Sequence, residues 1–391
     1  MWHIRRWAAI LIQHSLLVLG LLAALILRGV SPVYRIEVQR LWAERIGHLA
    51  LEPEAFLCIR EQQPRTRTKT VFFSHAPVAN PFLLKKWRGV LPTGPSCLLA
   101  PIFDAGTRWK WLGVKPNDWP WLHFDLRAMD IRPPHIQFTK EEDLRGLDLL
   151  RRLGIPDGTP YVCLAVRDSA YLASTYPERD WSYHDYRDSD ISTFGQMADY
   201  LAQSGYAVLR MGSIVSGQLR SSHPLVVDYA NSPLRSDFGD VYLFANCSFC
   251  ISTSTGMDSL AMLFRRPLGI VNVPTISGVT LGGSLRLVMF KNYHDEMCRR
   301  PLSLTDERRA RVAQAVRSAD FAAAGIQLVD NSEQELLDFA REFVSNLDAP
   351  RIQGDIGTLE AEFIRVMDQG SSLDSSTFRV SQSWLRRHAN D

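Results

Sequence analysis

"FCISTSTGMDSLAMLFRRPLGIVNVP", Phe249–Pro274, holds the pattern on which the fold turns. An apolar run ends in Ser252, Thr253, Ser254 and Thr255, followed by Gly256. A helix-like stretch, "GMDSLAMLF", comes next, and a second apolar run closes at Pro274. Short apolar runs separated by a helix predict neighbouring strands of a mostly parallel sheet. In such a sheet, ligands bind outside the carboxyl ends of the strands. There the following helix presents unpaired N–H groups and its positive end, both of which suit phosphate. The four hydroxyls add donors, and Gly256 admits close approach to the backbone. Asp258, in the first turn, favours the helix but would repel a phosphate unless turned away. A plain helix cap accounts for the same residues, and both explanations stand at this point.

The rest of the second half repeats the alternation. "PYVCLAVRD", "AVLRMGS" and "LVVDYA" are predicted strands. "DISTFGQMADYLAQSGY", "SDFGDVYLFANC", "SLTDERRARVAQAVRSA" and "NSEQELLDFAREFVSNL" are predicted helices. A doubly wound α/β domain follows from this order. Its strand ends carry Arg167 and Asp168, then Arg210 and Gly212, then Asp228. The planar Arg fork suits phosphate or carboxylate. Two such forks beside the hydroxyl turn compose a diphosphate pocket. Pairing of Arg167 with a nearby carboxylate, and capping by Asp228, are the alternatives.

In the first half, "RLWAERIGHLALEPEAFLCIR" predicts a strand end, a Gly turn and a helix. "KTVFFSHAP" and "SCLLAPIF" predict strands. "NPFLLKKWRGVL" predicts a helix capped by Asn80 with Pro at its first turn. Residues 106–134 are rich in Trp, Pro and Asp, and predict a long ordered loop. "TKEEDLRGLDLLRRLGI" predicts a helix with a Thr139–Glu142 capping box that stops at Gly154. The domain boundary is placed near Pro156, and the Ser-rich polar tail from Asp368 is expected to be mobile.

The chain has 391 residues, 46% of them hydrophobic, which allows two full cores. Its net charge of +2 gives no support to nucleic-acid binding. Its six cysteines mostly sit in apolar runs and lack the spacing of a secreted disulfide framework, so a reducing compartment is favoured. Trp7–Leu27 contains twenty-one mostly apolar residues, which match a ~30 Å hydrocarbon core at a helical rise. Gln13, His14 and Ser15 interrupt it. A membrane anchor or monotopic insertion is expected, with the body facing the cytoplasm and the remainder folding without this segment.

Other motifs carry less. Asp188-x-Asp190 has the form of a metal-binding pair, but it directly precedes a helix, where both residues are natural caps. Cys247-x-x-Cys250 has no second pair and adjoins an apolar strand, so buried thiols are expected rather than zinc. No glycine-rich dinucleotide fingerprint, Walker sequence or Gly-x-Ser-x-Gly is present.

Taken in order, "RIGHLALEPEAFL", "YRDSDISTF", "GYAVLRMGS", "DYANSPLRSDFGD", "CSFCISTSTGMDSLAMLFRRP" and "NVP" followed by Lys291 resemble a bacterial glycosyltransferase-like family of surface-polysaccharide gene clusters. The resemblance spans roughly Arg45–Leu347. It implies a GT-B-like α/β architecture, with two Rossmann-like domains of mostly parallel sheet facing a cleft, behind the N-terminal membrane helix. The expected divisions are residues 1–30 as anchor, 31–155 as the acceptor-side domain, 156–348 as the nucleotide-sugar-binding domain, and 349–391 as a terminal helix and tail. The resemblance further implies transfer of a sugar from a nucleotide-sugar donor to a saccharide or lipid-linked acceptor at the membrane. No cofactor and no bound metal are expected. Arg167, Arg210, Lys291 and the Ser252–Gly256 turn (Ser252, Thr253, Ser254, Thr255, Gly256) would stabilise the departing diphosphate. Gly47, Gly212, Asp228 and Asp237 would line the substrate sites. His48 and Asp168 are candidate bases for the acceptor hydroxyl. A satisfied structural role for His48, and a helix-start role for Asp237, remain open. Two other classes also remain: a nucleotide-sugar epimerase of the same shape, and a non-catalytic sugar-nucleotide-binding or scaffold protein.

Overall fold

The computed structural model describes residues 2–62, 67–112, 126–129, 131–175, 177–178, 180–276, 285–347, 357–367 and 378–389. The chain divides into two units. Unit 1 runs from Met1 to Phe124 and takes in His135–Gln137; unit 2 comprises Asp125–Pro134 and Phe138–Asp391.

Unit 1 contains α1 (Trp2–Val30), β1 (Arg35–Leu41), α2 (Ile46–Gln62), β2 (Thr68–Ser74), α3 (Pro81–Val90) and α4 (Ser96–Arg108). The strands β1 and β2 pair in parallel, from Arg35↔Thr68 to Leu41↔Ser74. The side chain of Asn80 caps α3 as expected, accepting from Leu83 N at 2.8 Å. "SCLLAPIF" is not a strand but the start of α4. A short apolar run does not distinguish the two states by periodicity, and here a facing helix decides it. The facing helix is α1, whose Leu17, Leu21, Ala24 and Leu27 join Val38, Phe73, Leu99, Ile102, Phe103, Ala105 and Leu112 in one core. At Gly20 the helices approach so closely that a Cβ would lie 2.1 Å from the Pro101 carbonyl oxygen.

The expectation of a separable membrane anchor finds no support here: Ala24 of α1 is buried in this core, and Leu17, Leu21 and Leu27 pack partly buried against it. Among the described residues no helix is long and apolar enough to cross a membrane. On its outer side Val18, Leu19, Leu22 and Ile26 are exposed. The expected second Rossmann-like sheet is not seen either, since this unit's described strands are two. Much of the predicted aromatic loop, at 113–125 and 130, lies outside the described residues.

Unit 2 contains α5 (Lys140–Arg152), β3 (Tyr161–Ala165), α6 (Ala170–Thr175), α7 (Gly195–Gln203), β4 (Ala207–Met211), β5 (Val226–Val227), α8 (Asp237–Asn246), β6 (Phe249–Ser252), α9 (Asp258–Leu263) and β7 (Leu268–Val273). There follow β8 (Leu285–Phe290), β9 (Asn292–Asp295), α10 (Glu307–Val312), α11 (Ser318–Ala323), β10 (Ile326–Val329), α12 (Glu333–Ser345), α13 (Thr358–Met367), β11 (Arg379–Val380) and α14 (Gln382–Arg387). Both halves of the Thr139–Glu142 capping box form on α5, and Gly154 and Gly205 take left-handed φ values of 81° and 93° where α5 and α7 stop.

The seven-stranded sheet has the order β11-β8-β7-β6-β3-β4-β5, and all its pairings are parallel. Helices cover both faces. Phe249, in register with Val162, packs on Phe343 of α12, whereas the next residue of β3, Cys163, points its thiol at the Leu243 carbonyl of α8. Successive residues of a strand face opposite ways, so α12 and α8 lie on opposite sides. Cys247 and Cys250 are buried thiols, and burial pushes the Cys250 thiol well up.

The tail departs from its expectation. Residues 368–377 lie outside the described set, but Phe378 is buried and Arg379–Val380 adds an edge strand to β8. Trp384 is buried, and its indole N–H donates to Asn292 Oδ1 at 2.9 Å.

Candidate functional site

From β3 the chain builds outward through β4 and β5, then returns to the other side of β3 to lay down β6, β7 and β8. The strand order reverses between β3 and β6. In doubly wound sheets the ligand crevice lies at that reversal, outside the carboxyl ends. Here the two strand ends are Ala165–Val166–Arg167 and Ser252–Thr253. They are tied together, because Arg167 N donates to Thr253 Oγ1 at 2.9 Å and Thr253 N to the Ala165 carbonyl at 3.1 Å.

Three cations gather around this point. Arg167 Nε donates to Asp188 Oδ1 at 3.2 Å. Burial and then the neighbouring Arg187 charge press the Arg167 pKa down, against Asp188. Arg187 donates to the Ser254 carbonyl at 2.8 Å. Lys291, just beyond β8, is 4% exposed and donates from Nζ to the Asp188 carbonyl at 2.6 Å and to Asp330 Oδ1 at 2.7 Å. Burial is the main cause that pushes Asp188 up to about 6, with Arg167 and Lys291 opposing. Arg187 was missed in the sequence because "RDSD" drew attention to its carboxylates; an Arg flanking an Asp-x-Asp was the available signal. Of those two, Asp190 caps as expected, accepting from Ser192 N at 2.9 Å, but Asp188 pairs with Arg167 instead.

The hydroxyl turn is more committed than its sequence implied. Ser252 Oγ donates to Asp258 Oδ2 at 2.9 Å. Thr255 Oγ1 accepts from Met257 N at 3.0 Å, as a turn residue does. Thr253 and Thr255 thus act as acceptors, and a hydroxyl that accepts retains a proton to donate. The left-handed residue of the turn is Ser254, at φ 59°, rather than Gly256. Since α9 is six residues long with a carboxylate in its first turn, it adds little positive potential of its own.

Burial pushes Asp258 up to about 6, against Ser252 and Arg187. A carboxyl whose pKa rises on folding binds protons more tightly in the native state, so its contribution to stability is present at low pH and lost as pH rises from about 4 through 6. An Asp258→Asn chain should gain on wild type across that window by about 2–3 kcal/mol. Urea unfolding of both proteins at about pH 4 and about pH 7.5 measures this. A difference that does not move with pH would show that the Asp258 pKa is the same folded and unfolded.

Other predicted residues are brought together in a different role. Arg210 is fully buried and donates to Asp228 Oδ1 at 3.1 Å, with Asp168 Oδ2 at 4.0 Å. It braces the end of β4 and presents no fork to solvent. Asp228 Oδ2 also accepts from Leu219 N and Asn231 Nδ2 at 3.1 and 2.9 Å. Asp168, the other candidate base, is held by its own loop: its oxygens accept from Ala170 N at 3.0 Å, Ser216 N at 2.9 Å and Ser216 Oγ at 3.2 Å. Gly212 is there for packing, because a Cβ would meet Val215 at 2.6 Å. Asp237 is a half-exposed acid in the first turn of α8, 3.6 Å from Arg235, which matches its helix-start alternative.

In unit 1, Gly47 and His48 do not form a turn but lie in the first turn of α2. One helical turn on, the buried Glu52 meets His48 Nδ1 at 2.6 Å. Burial raises the Glu52 pKa, and the His48 contact works against that rise. A carboxylate on Nδ1 selects the tautomer with Nε2 as the proton acceptor, the arrangement of an oriented base. Glu52 was legible only as the i+4 partner of His48.

No family model matches the chain, and no curated protein matches it in sequence. Among solved structures it is similar to E. coli ADP-heptose LPS heptosyltransferase II, at 13% identity over 65% of this chain and 90% of that one, with TM-score 0.40. It is also similar to a family 9 glycosyl transferase from Veillonella parvula DSM 2008, at 10% identity over 61% and 80%, TM-score 0.36. E. coli heptosyltransferase WaaC with ADP-2-deoxy-2-fluoro heptose aligns at 14% identity over 66% and 93%, TM-score 0.31. At scores this low, no residue role or substrate is carried over from them.

Proposed function

We propose that the chain is a glycosyltransferase that takes a sugar from a nucleotide-sugar donor to a saccharide or lipid-linked acceptor in surface-polysaccharide synthesis. The observation that carries this is the placing of Arg167, Arg187 and Lys291 at the β3/β6 strand reversal. Arg167 is now paired with Asp188 and Lys291 with Asp330, while Arg187 rests on the Ser254 carbonyl. A diphosphate would take over Arg167 from Asp188, whose high pKa already disfavours its anion. The Thr253 and Thr255 hydroxyls would add neutral donors. The three cations and hydroxyls would stabilise charge on the leaving diphosphate, with no cofactor and no metal in that step. In unit 1 the His48–Glu52 pair would take the acceptor proton. The exposed aliphatic side of α1 would suit contact with a membrane surface, and the reading places the body on its cytoplasmic side.

Binding of nucleoside mono- and diphosphates and of nucleotide-sugars to the folded full chain tests the donor site. Diphosphates should bind and monophosphates should bind more weakly. No binding of any of them would overturn the assignment. With a donor in hand, His48→Gln should lower kcat about 10²–10⁴-fold and leave donor Kd unchanged.

A second reading has its own support. Asp168 is fully engaged by loop N–H groups, so the donor unit shows no ready base at that position. A non-catalytic sugar-nucleotide-binding protein would bind donors in the same way and turn none over, whatever acceptor is offered.

A further inference from the structure

We infer a zinc site in unit 1, separate from the residues of the donor reading and independent of it. Glu54 and Cys58 are one helical turn apart on α2, and the His135–Gln137 segment belongs to the same unit. One donor atom each from Glu54, Cys58 and His135 lie within 4.8 Å of one another. The Cys58 thiol is 3.8 Å from Glu54 Oε1, and His135 Nδ1 is 3.2 Å from Glu54 Oε2. A tetrahedral zinc with bonds of about 2.0–2.3 Å spaces its donors about 3.3–3.8 Å apart. The set, within 4.8 Å and with its short contacts on the two different Glu54 oxygens, needs to contract by about 1 Å to reach it. Glu54 and Cys58 are both fully buried.

The outer ring of the cluster supplies a second, independent observation. His135 Nε2 lies 3.2 Å from Glu61 Oε1, one further turn along α2 from Cys58. A metal-bound imidazole characteristically donates its other N–H to a carboxylate, which fixes the tautomer that leaves the first nitrogen for the metal. Glu61 is placed for that role. Sulfur, nitrogen and oxygen donors together select zinc over magnesium or calcium. The charges balance too: a dication offsets the Cys58 thiolate and the Glu54 carboxylate, neither of which water reaches. A tetrahedral ion would need a fourth ligand beyond these three side chains. Pro133 and Pro134 stiffen the approach to His135, so the ion would pin this short returning segment onto α2.

The full chain, stripped with a chelator and dialysed, is titrated with zinc and, separately, with cobalt(II). One equivalent should bind, and cobalt should give the intense near-ultraviolet band of a thiolate ligand. Cys58→Ser should abolish that band, while Cys97→Ser, which alters an exposed thiol outside the cluster, should keep it. His135→Gln should also lose stoichiometric uptake. Glu61→Gln should weaken zinc binding about 10–100-fold. If the wild-type chain gives no thiolate band, or Cys58→Ser takes up the metal unchanged, the site is overturned and His135 is an ion-paired residue between two carboxylates. The wild-type spectrum decides even where a variant does not fold.

Discussion

A chain that begins at Ser31, without α1, should lose the native fold of unit 1. The segment looks disposable in sequence, but Leu17, Leu21, Ala24 and Leu27 are core, and Phe73, Ile102 and Phe103 lose their cover when they go. Burying an aliphatic side chain contributes about 1.5–3 kcal/mol. Removing three partly buried leucines and the buried Ala24 costs on the order of 3–7 kcal/mol, a large share of what holds a whole domain together. Amide exchange in β1 and β2 reports the outcome: protection present in the full chain should vanish. Gly20→Leu makes the same point with one residue, since the space it needs holds the Pro101 backbone. A shortened chain with β1 and β2 still protected would return α1 to the status of an appendage.

The second large effect belongs to Arg187. Replacement by Ala should weaken nucleoside-diphosphate binding about 10- to 150-fold, the loss of one charge-assisted hydrogen bond of about 1.5–3 kcal/mol. Arg187→Lys should recover part of this, keeping the charge without the fork. Arg187 also holds the Ser254 carbonyl in the strained turn, so melting temperature is measured beside affinity. A variant that melts earlier yet binds normally when folded would make Arg187 a turn brace and move the diphosphate elsewhere. Arg210 was the sequence's choice for this experiment. Its burial against Asp228 predicts the opposite pattern there, a loss of stability first.

The doubly wound sheet was legible because its strands are buried on both sides. Such strands appear as unbroken apolar runs, and "PYVCLAV", "AVLRM" and "PLGIVNV" are each bounded by turn or charged residues. Caps were legible for the same local reason: Asn80, Thr139 and Ser236 act within three residues of themselves. What failed to show depends on distant chain. "SCLLAPIF" is helical because α1 lies against it. The Arg379–Val380 strand has only two residues and needs β8 to exist. The site was half legible. Position at a strand end marked Arg167, and Lys291 entered only through the family resemblance, but residue type cannot say whether an Arg is paired inward or offered outward. That left Arg210 overvalued and Arg187 unnoticed, and it hid the partnership of His48 with Glu52 inside what read as a turn.

The late edge strand has a consequence for how the protein is made. Trp384 closes on Asn292, 92 residues earlier in the chain. During synthesis at about 5–20 residues per second, β8 therefore waits roughly 5–20 s after it leaves the ribosome before its outer edge is covered. For that interval an unpaired, apolar strand faces solvent, the situation in which nascent chains recruit holdase chaperones or pair with one another. Crowded polysomes should aggravate it, and slowing translation between the codons for residues 290 and 380 should lower the yield of native protein in proportion to the delay.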